Sequence, residues 1–129
     1  MKKKNFSISS YKKLLVYLKK ENLNLKSFKD NLLNGRNLIL RHDIDFCPIR
    51  ALDIAKLENK MSMSSTFFFL INTDFYNLNS KKNLEILKKI IELGHEVGLH
   101  FDASFYNEEK IMHKACKKEL TTLENIISK

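Results

Sequence analysis

The sequence of 129 residues has no apolar run near the roughly 20 residues that a bilayer span needs. The longest apolar run of its basic start, LLVYL, is also shorter than the core of a signal peptide, which has about 7–15 residues. Its two cysteines, Cys47 and Cys116, form no Cys-x-x-Cys pair, and without an export signal we expect free thiols. The sequence therefore predicts a cytoplasmic protein without a membrane span.

Positive charge is concentrated at the start of the chain. The net charge is +8, and residues 1–36 hold ten basic residues against two acidic ones, which accounts for the whole excess. A basic nucleic-acid-binding protein is one hypothesis, but no helix-turn-helix signature or aromatic-rich basic strand accompanies the charge. An amphipathic helix in YKKLLVYLKK with a solvated basic face is the preferred explanation, so we do not expect nucleic acid to be a partner. We expect a basic N-terminal helical segment, 1–36, before a β/α domain, 37–129.

Three short apolar runs alternate with helical patterns from residue 37 onward. The runs are NLILRHDID, STFFFLI and HEVGLHF, and helices are predicted from Pro48, after a Ser80 cap, and from Asn107 to about Ile127. Continuous apolar strands between helices are typical of parallel β/α units and not of an antiparallel sandwich. The pattern predicts an α/β fold whose chemistry lies at the carboxyl ends of its strands.

Two of these predicted strands end in side chains that can bind a metal. A period of two places Arg41, Asp43 and Asp45 on one side of the first strand, and His100 ends the third. Two carboxylates so close are costly unless a metal or Arg41 compensates their charge. Asp, Asp and His with open positions suit zinc or a similar divalent ion. His95 begins the third strand at its far end, so we do not expect it to share that ion. The competing interpretation is structural, with an Asp that caps a helix and a His whose hydrogen bonds are satisfied.

The segments LRHDID, SSTFFFL and ILKKIIELGHEVGLHFD, in this order and at these intervals, resemble the N-terminal half of the polysaccharide deacetylase (NodB-like) family. They are most similar to its branch with an Arg-His-Asp-x-Asp first motif, and the resemblance covers residues 37–127. It implies parallel β/α units that form part of an irregular (β/α) barrel. It also implies a hydrolase of amide bonds, which uses a divalent metal, expected to be zinc, to remove N-acetyl or related acyl groups from carbohydrates.

The resemblance also implies roles for individual residues. Asp43 would be the catalytic base, Arg41 a substrate-binding residue, and Asp45 and His100 metal ligands. The family's second metal-binding His falls on Ser104, whose hydroxyl is a poor zinc ligand. Asp102, on the same side of the strand as His100, is the candidate that replaces it.

The chain also departs from the family at its later motifs. An arginine beside the base, an aromatic residue of the substrate pocket and a histidine acid have no counterpart here, and three β/α units are fewer than a closed barrel needs. We therefore expect a truncated or split enzyme, weak or inactive alone, that acts on an acetylated surface-glycan precursor. A second chain or a homo-oligomer would complete the barrel. The alternative is a catalytically inactive fragment that binds metal or sugar, or regulates a full-length relative.

Overall fold

A computed structural model of the chain describes residues 7–32 and 34–129, so the first six residues and Leu33 of the predicted basic segment lie outside it. Its elements form a mixed α/β fold with short parallel strands. They are α1 (Ile8–Lys20), β1 (Asn24–Lys26), β2 (Asn37–Ile39), β3 (Arg41–Ile44), α2 (Pro48–Lys60), β4 (Thr66–Leu70), α3 (Lys81–Glu92), β5 (Glu96–His100), a 3₁₀ helix (Ala103–Phe105) and α4 (Glu109–Ile127). None of the helices in this described part combines the length and apolar character that crossing a membrane requires.

The strands form two open parallel sheets. One contains β3, β4 and β5 in that order, and the other pairs β1 with β2. The expectation of parallel strands joined by helices is therefore confirmed. Asp43 lies opposite Phe68, and Leu70 lies opposite His100. Because Asp45 is two residues beyond Asp43, it reaches the same level of the sheet as His100.

The structure corrects the predicted first strand. We expected NLILRHDID to be one buried strand, but it divides at Leu40, so that β2 pairs with β1 and β3 pairs with β4. The carbonyl of Leu40 accepts a hydrogen bond from Thr66 N at 3.0 Å, where the chain passes from one sheet to the other. Arg41 and Asp43 are exposed because helices cover only the opposite face of the sheet. The segment predicted as helical also contains β1, which the sequence analysis missed.

Three helices pack on one face of the larger sheet and form the core with it. The buried apolar side chains are Ile44, Ala51, Leu52, Ala55, Phe67, Phe69, Leu78, Ile86, Leu87, Ile90, Leu123 and Ile126.

The predicted cap of α3 is present, since Ser80 Oγ accepts from Asn83 N at 3.4 Å. Gly94 ends this helix with φ of +86°, a conformation that glycine adopts without strain. Glu108, and not Asn107, occupies the N-cap position of α4, and its side chain makes no capping hydrogen bond.

A loop covers part of the other face of the larger sheet. The ring of Phe28 meets that of Phe68 edge-on at 5.4 Å, and Lys29 Nζ lies 3.3 Å from Glu96 Oε1. Phe28 N also donates to Glu96 Oε2 at 3.2 Å. Some of the excess charge near the chain start therefore makes internal contacts in this fold.

A buried polar network ties α1 and α2 to the amino ends of the strands. Glu58 is 0% exposed; its carboxylate lies 2.7 Å from His42 Nε2 and accepts from Ser65 Oγ at 2.5 Å and from the Tyr11 hydroxyl. Burial acts to raise the pKa of Glu58, but the hydrogen bonds from these three side chains outweigh it and lower that pKa. His95 Nδ1 accepts from Ser65 N at 3.1 Å, while its Nε2 donates to a carbonyl of α2 at 2.9 Å. Burial lowers the pKa of His95, which favours the neutral ring.

Candidate functional site

Asp45 and His100 meet at the carboxyl edge of the larger sheet. Asp45 follows directly after β3, His100 is the last residue of β5, and Asp45 Oδ1 lies 3.1 Å from His100 Nδ1. The two side chains reach toward each other across the end of β4, which lies between their strands. Since the carboxyl ends of parallel strands are the usual position of catalytic groups in α/β folds, we take this pair as the centre of the candidate site.

The His100 side chain has an unsatisfied nitrogen at this position. Its Nδ1 is buried and has no hydrogen-bond partner within residues 7–32 and 34–129. Asp45 Oδ1 therefore lies close to His100 Nδ1, but the two groups do not have the geometry of a hydrogen bond. Zinc binds His nitrogen and carboxylate oxygen at about 2.0–2.2 Å, so two adjacent ligands of one ion lie about 2.8–3.6 Å apart when the angle at the metal is about 90–110°. The pair fits two neighbouring ligands of a divalent ion.

Asp102 and Ser104, the candidates for a third ligand, contact each other. Asp102 caps the 3₁₀ helix, and its Oδ1 accepts from Ser104 N at 2.9 Å. Hydrogen bonds from the Ser104 hydroxyl and backbone lower the pKa of Asp102, and nearby His100 adds to this effect. In the described part of the chain, no group of three His, Cys, Asp or Glu side chains is arranged to hold a metal ion. Asp45 and His100 are thus the two candidate ligands that the structure brings together.

Arg41 and Asp43, also on β3, form an ion pair. Arg41 Nε donates to Asp43 Oδ1 at 2.8 Å, and the guanidinium lies over the ring of Phe68, 4.3 Å from its centroid. The sequence analysis expected either a metal ion or Arg41 to compensate the charge of the two carboxylates. In the structure Arg41 pairs with one of them, Asp43. The ring of Phe68 also passes close to Gly98, where an added Cβ would lie 2.7 Å from Phe68 Cε1. A side chain at this position of β5 would therefore have to displace the ring.

Tyr76 is a residue of this site that the sequence analysis did not identify. Its hydroxyl donates to the carbonyl of Ile44 at 2.5 Å and accepts from Leu70 N at 2.9 Å, which joins the ends of β3 and β4. Burial raises the pKa of Tyr76 to about 12, and the Asp45 carboxylate contributes to the rise. The Ile44 carbonyl immediately precedes Asp45, so this clamp fixes the backbone that carries the carboxylate. The only signal in the sequence is an aromatic residue in the polar loop NTDFYNLN.

Two exposed phenylalanines lie beside the candidate ligands. Phe46, next to Asp45, meets Phe75 edge-on with ring centroids 4.6 Å apart. Phe46 and Phe75 join the loop after β3 to the loop after β4 and leave apolar surface at the rim.

Cys47 and Cys116 are free, as predicted. His113 lies on the exposed surface of α4, 3.8 Å from Glu109, and has no part in the site.

A scan of protein-family models finds no match to this chain, and a search of curated proteins finds no significant match either.

Proposed function

We propose that this chain is a metal-dependent hydrolase of the polysaccharide deacetylase type, which removes an N-acetyl or related acyl group from a carbohydrate. The observation that supports the proposal is the convergence of Asp45 Oδ1 and the unsatisfied His100 Nδ1, 3.1 Å apart at the carboxyl edge of a parallel sheet. The resemblance of LRHDID and GHEVGLHFD to the family's first two motifs points to the same residues. A surface-glycan precursor in the cytoplasm is the proposed substrate.

A divalent ion at this pair, with zinc expected, would act as a Lewis acid and lower the pKa of a bound water to about 7. Asp43, two residues before Asp45, is the proposed base that accepts the proton of the attacking water. Its ion pair with Arg41 at 2.8 Å fixes the orientation of the carboxylate. Tyr76 holds the adjacent Ile44 carbonyl and so positions Asp45. Asp102 is the proposed third ligand, with the oxygen that Ser104 N does not contact.

We also propose that a second chain or a second copy completes the sheet. Within the described residues β5 pairs only with β4, and all five of its residues are partly exposed. A strand added at this edge would lie beside His100 and protect the unpaired backbone of β5. A general acid typically contributes about 10²–10⁴-fold to such a reaction, and no residue of the described site is assigned that role. The chain alone is therefore proposed to be weakly active or inactive.

The test is acetate release from chitin oligosaccharides by the purified chain, loaded with zinc or treated with a chelator. We expect slow release that requires zinc and that Asp43→Asn abolishes while the bound zinc remains. Glu85→Gln, an exposed carboxylate on α3, is the matched control and should leave the rate unchanged. Release that is indifferent to chelator and to Asp43→Asn would contradict the proposed mechanism.

A second candidate function is non-enzymatic binding of metal or sugar. The serine at position 104, where the family has its second metal-binding His, favours it. Zinc and sugar binding without acetate release, also in the presence of a partner that completes the sheet, would support this alternative.

A further inference from the structure

A pocket of about 550 Å³ lies next to the candidate site. It is lined by Ile71, Asn72, Thr73, Asp74, Phe105 and Tyr106. The first four residues follow β4 and the last two follow β5, so the pocket opens at the same edge of the sheet as Asp45 and His100. Its volume is within the range of about 300–1,000 Å³ that is typical of small-molecule sites.

A buried carboxylate organises one wall of this pocket. Glu119, on α4, is only 8% exposed, and its Oε1 accepts from Asn72 Nδ2 at 2.5 Å and from the Tyr106 hydroxyl at 3.2 Å. An ionised carboxylate is costly to bury unless donors compensate it, and these two side chains are such donors. The ring of Phe101 stacks on that of Tyr106, with centroids 5.5 Å apart, and so holds the second donor in place.

These hydrogen bonds decide what the pocket can offer to a ligand. A carboxylate only accepts, so the Asn72 amide must turn its NH₂ toward Glu119, which leaves Asn72 Oδ1 as an acceptor beside the second amide hydrogen. Tyr106 gives its single hydroxyl hydrogen to the same oxygen and likewise retains only lone pairs. Asp74 adds a carboxylate, and the hydroxyl of Thr73 is one donor among these acceptors. Phe105, 65% exposed, adds an aromatic surface.

We propose that this pocket is a subsite for the hydroxyl groups of a sugar residue, and that Glu119 is the positioning residue that sets Asn72 and Tyr106 as acceptors. Sugar hydroxyls donate readily, and the apolar face of the ring packs on an aromatic side chain. Phosphate groups are acceptors and anions, so a pocket of acceptors beside Asp74 and Glu119 disfavours them. The choice of a sugar as ligand rests on the proposed function, whereas the exclusion of phosphate follows from the pocket itself.

The test is a titration of the ¹⁵N-labelled chain with chitotriose, followed by NMR, with zinc content measured in parallel. Tyr106→Phe removes one acceptor, and Glu119→Gln lets an amide donor compete with Asn72 and Tyr106. We expect each change to raise the Kd for chitotriose about five- to tenfold, the loss of roughly one hydrogen bond, with zinc content unchanged. Glu124→Gln, an exposed carboxylate on the same helix, is the control and should leave the Kd unchanged.

Three outcomes would overturn the inference: no binding of chitotriose by the wild type, an unchanged Kd in Tyr106→Phe, or inorganic phosphate shifting the same resonances. If Glu119→Gln fails to fold, Tyr106→Phe decides alone, because it keeps the ring that stacks on Phe101. Failure of the proposed function is distinguishable. If the chain binds chitotriose in the predicted way but neither binds zinc nor releases acetate, the sugar subsite is supported and the proposed deacetylase function is refuted.

Discussion

The buried network around Glu58 allows a stability prediction that is independent of function. Replacing Glu58 with alanine leaves three donors, Tyr11, His42 and Ser65, without their acceptor in the interior. Each unsatisfied buried group costs about 1–3 kcal/mol, so three such donors together cost at least about 3 kcal/mol. We expect Glu58→Ala to lose about 3–5 kcal/mol of the free energy of unfolding.

That loss is large for a chain of this size, whose expected stability is about 5–15 kcal/mol. It corresponds to a decrease in Tm of about 10–20 °C. Glu58→Gln keeps one oxygen acceptor and should lose less, about 1–3 kcal/mol. The assay is urea denaturation followed by circular dichroism, with Glu85→Ala as the exposed control that should change stability by less than about 0.5 kcal/mol.

The same network predicts a pH dependence with a defined sign. The pKa of Glu58 is lower in the folded chain than its ordinary value of 4.5, so its contribution is fully present above about pH 4.5 and is lost as the pH falls through the folded pKa. The stability difference between wild type and Glu58→Gln should therefore shrink on acidification. A loss below about 1 kcal/mol in Glu58→Ala, or a difference that grows toward low pH, would refute the reasoning.

Three further changes test the packing of the site and its supports. Gly98→Ala places a methyl group against the Phe68 ring and should destabilise the chain by about 1–3 kcal/mol in urea denaturation; unchanged stability would contradict the close approach. Tyr76→Phe removes the hydroxyl between β3 and β4 and should cost about 1–3 kcal/mol and weaken zinc binding, whereas the exposed control Tyr17→Phe should do neither. Ser80→Ala removes the α3 cap and should lower the free energy of unfolding by about 0.5–2 kcal/mol. A loss smaller than about 0.5 kcal/mol would show that the cap is dispensable.

Local sequence patterns were sufficient for the strands and helices that carry strong signals. STFFFLI became β4, Pro48 began α2, and Ser80 with Gly94 bounded α3, because each signal acts within a few residues of its own position. The division of NLILRHDID and the short strand β1 were missed for the opposite reason. Pairing partners far along the chain decide where a three-residue strand forms, and its own residues carry little preference.

The candidate site shows the same limit. Strand periodicity and parallel topology predicted that Asp45 and His100 would reach one edge of the sheet, and their atoms lie 3.1 Å apart. Tyr76 and Glu119 act through contacts across 32 and 47 positions of the chain, which no local pattern encodes. The sequence analysis likewise did not single out Glu58, which is buried among side chains from distant positions. Polar residues that gain their role only from tertiary packing are the ones that sequence reasoning overlooked.

The most direct test of the account is calorimetric titration of the purified chain with zinc, comparing wild type with Asp45→Asn and His100→Gln. Asp53→Asn and His113→Gln, which alter a partly exposed Asp and an exposed His outside the site, are the matched controls. Loss of residues that merely support a ligand lowers metal affinity about 10–100-fold, so loss of a ligand should lower it by at least 100-fold. We predict one zinc ion per chain, bound at least 100-fold more weakly by both site variants and unchanged in both controls. Equal affinity in wild type and the two site variants would contradict the claim that Asp45 and His100 together hold the ion.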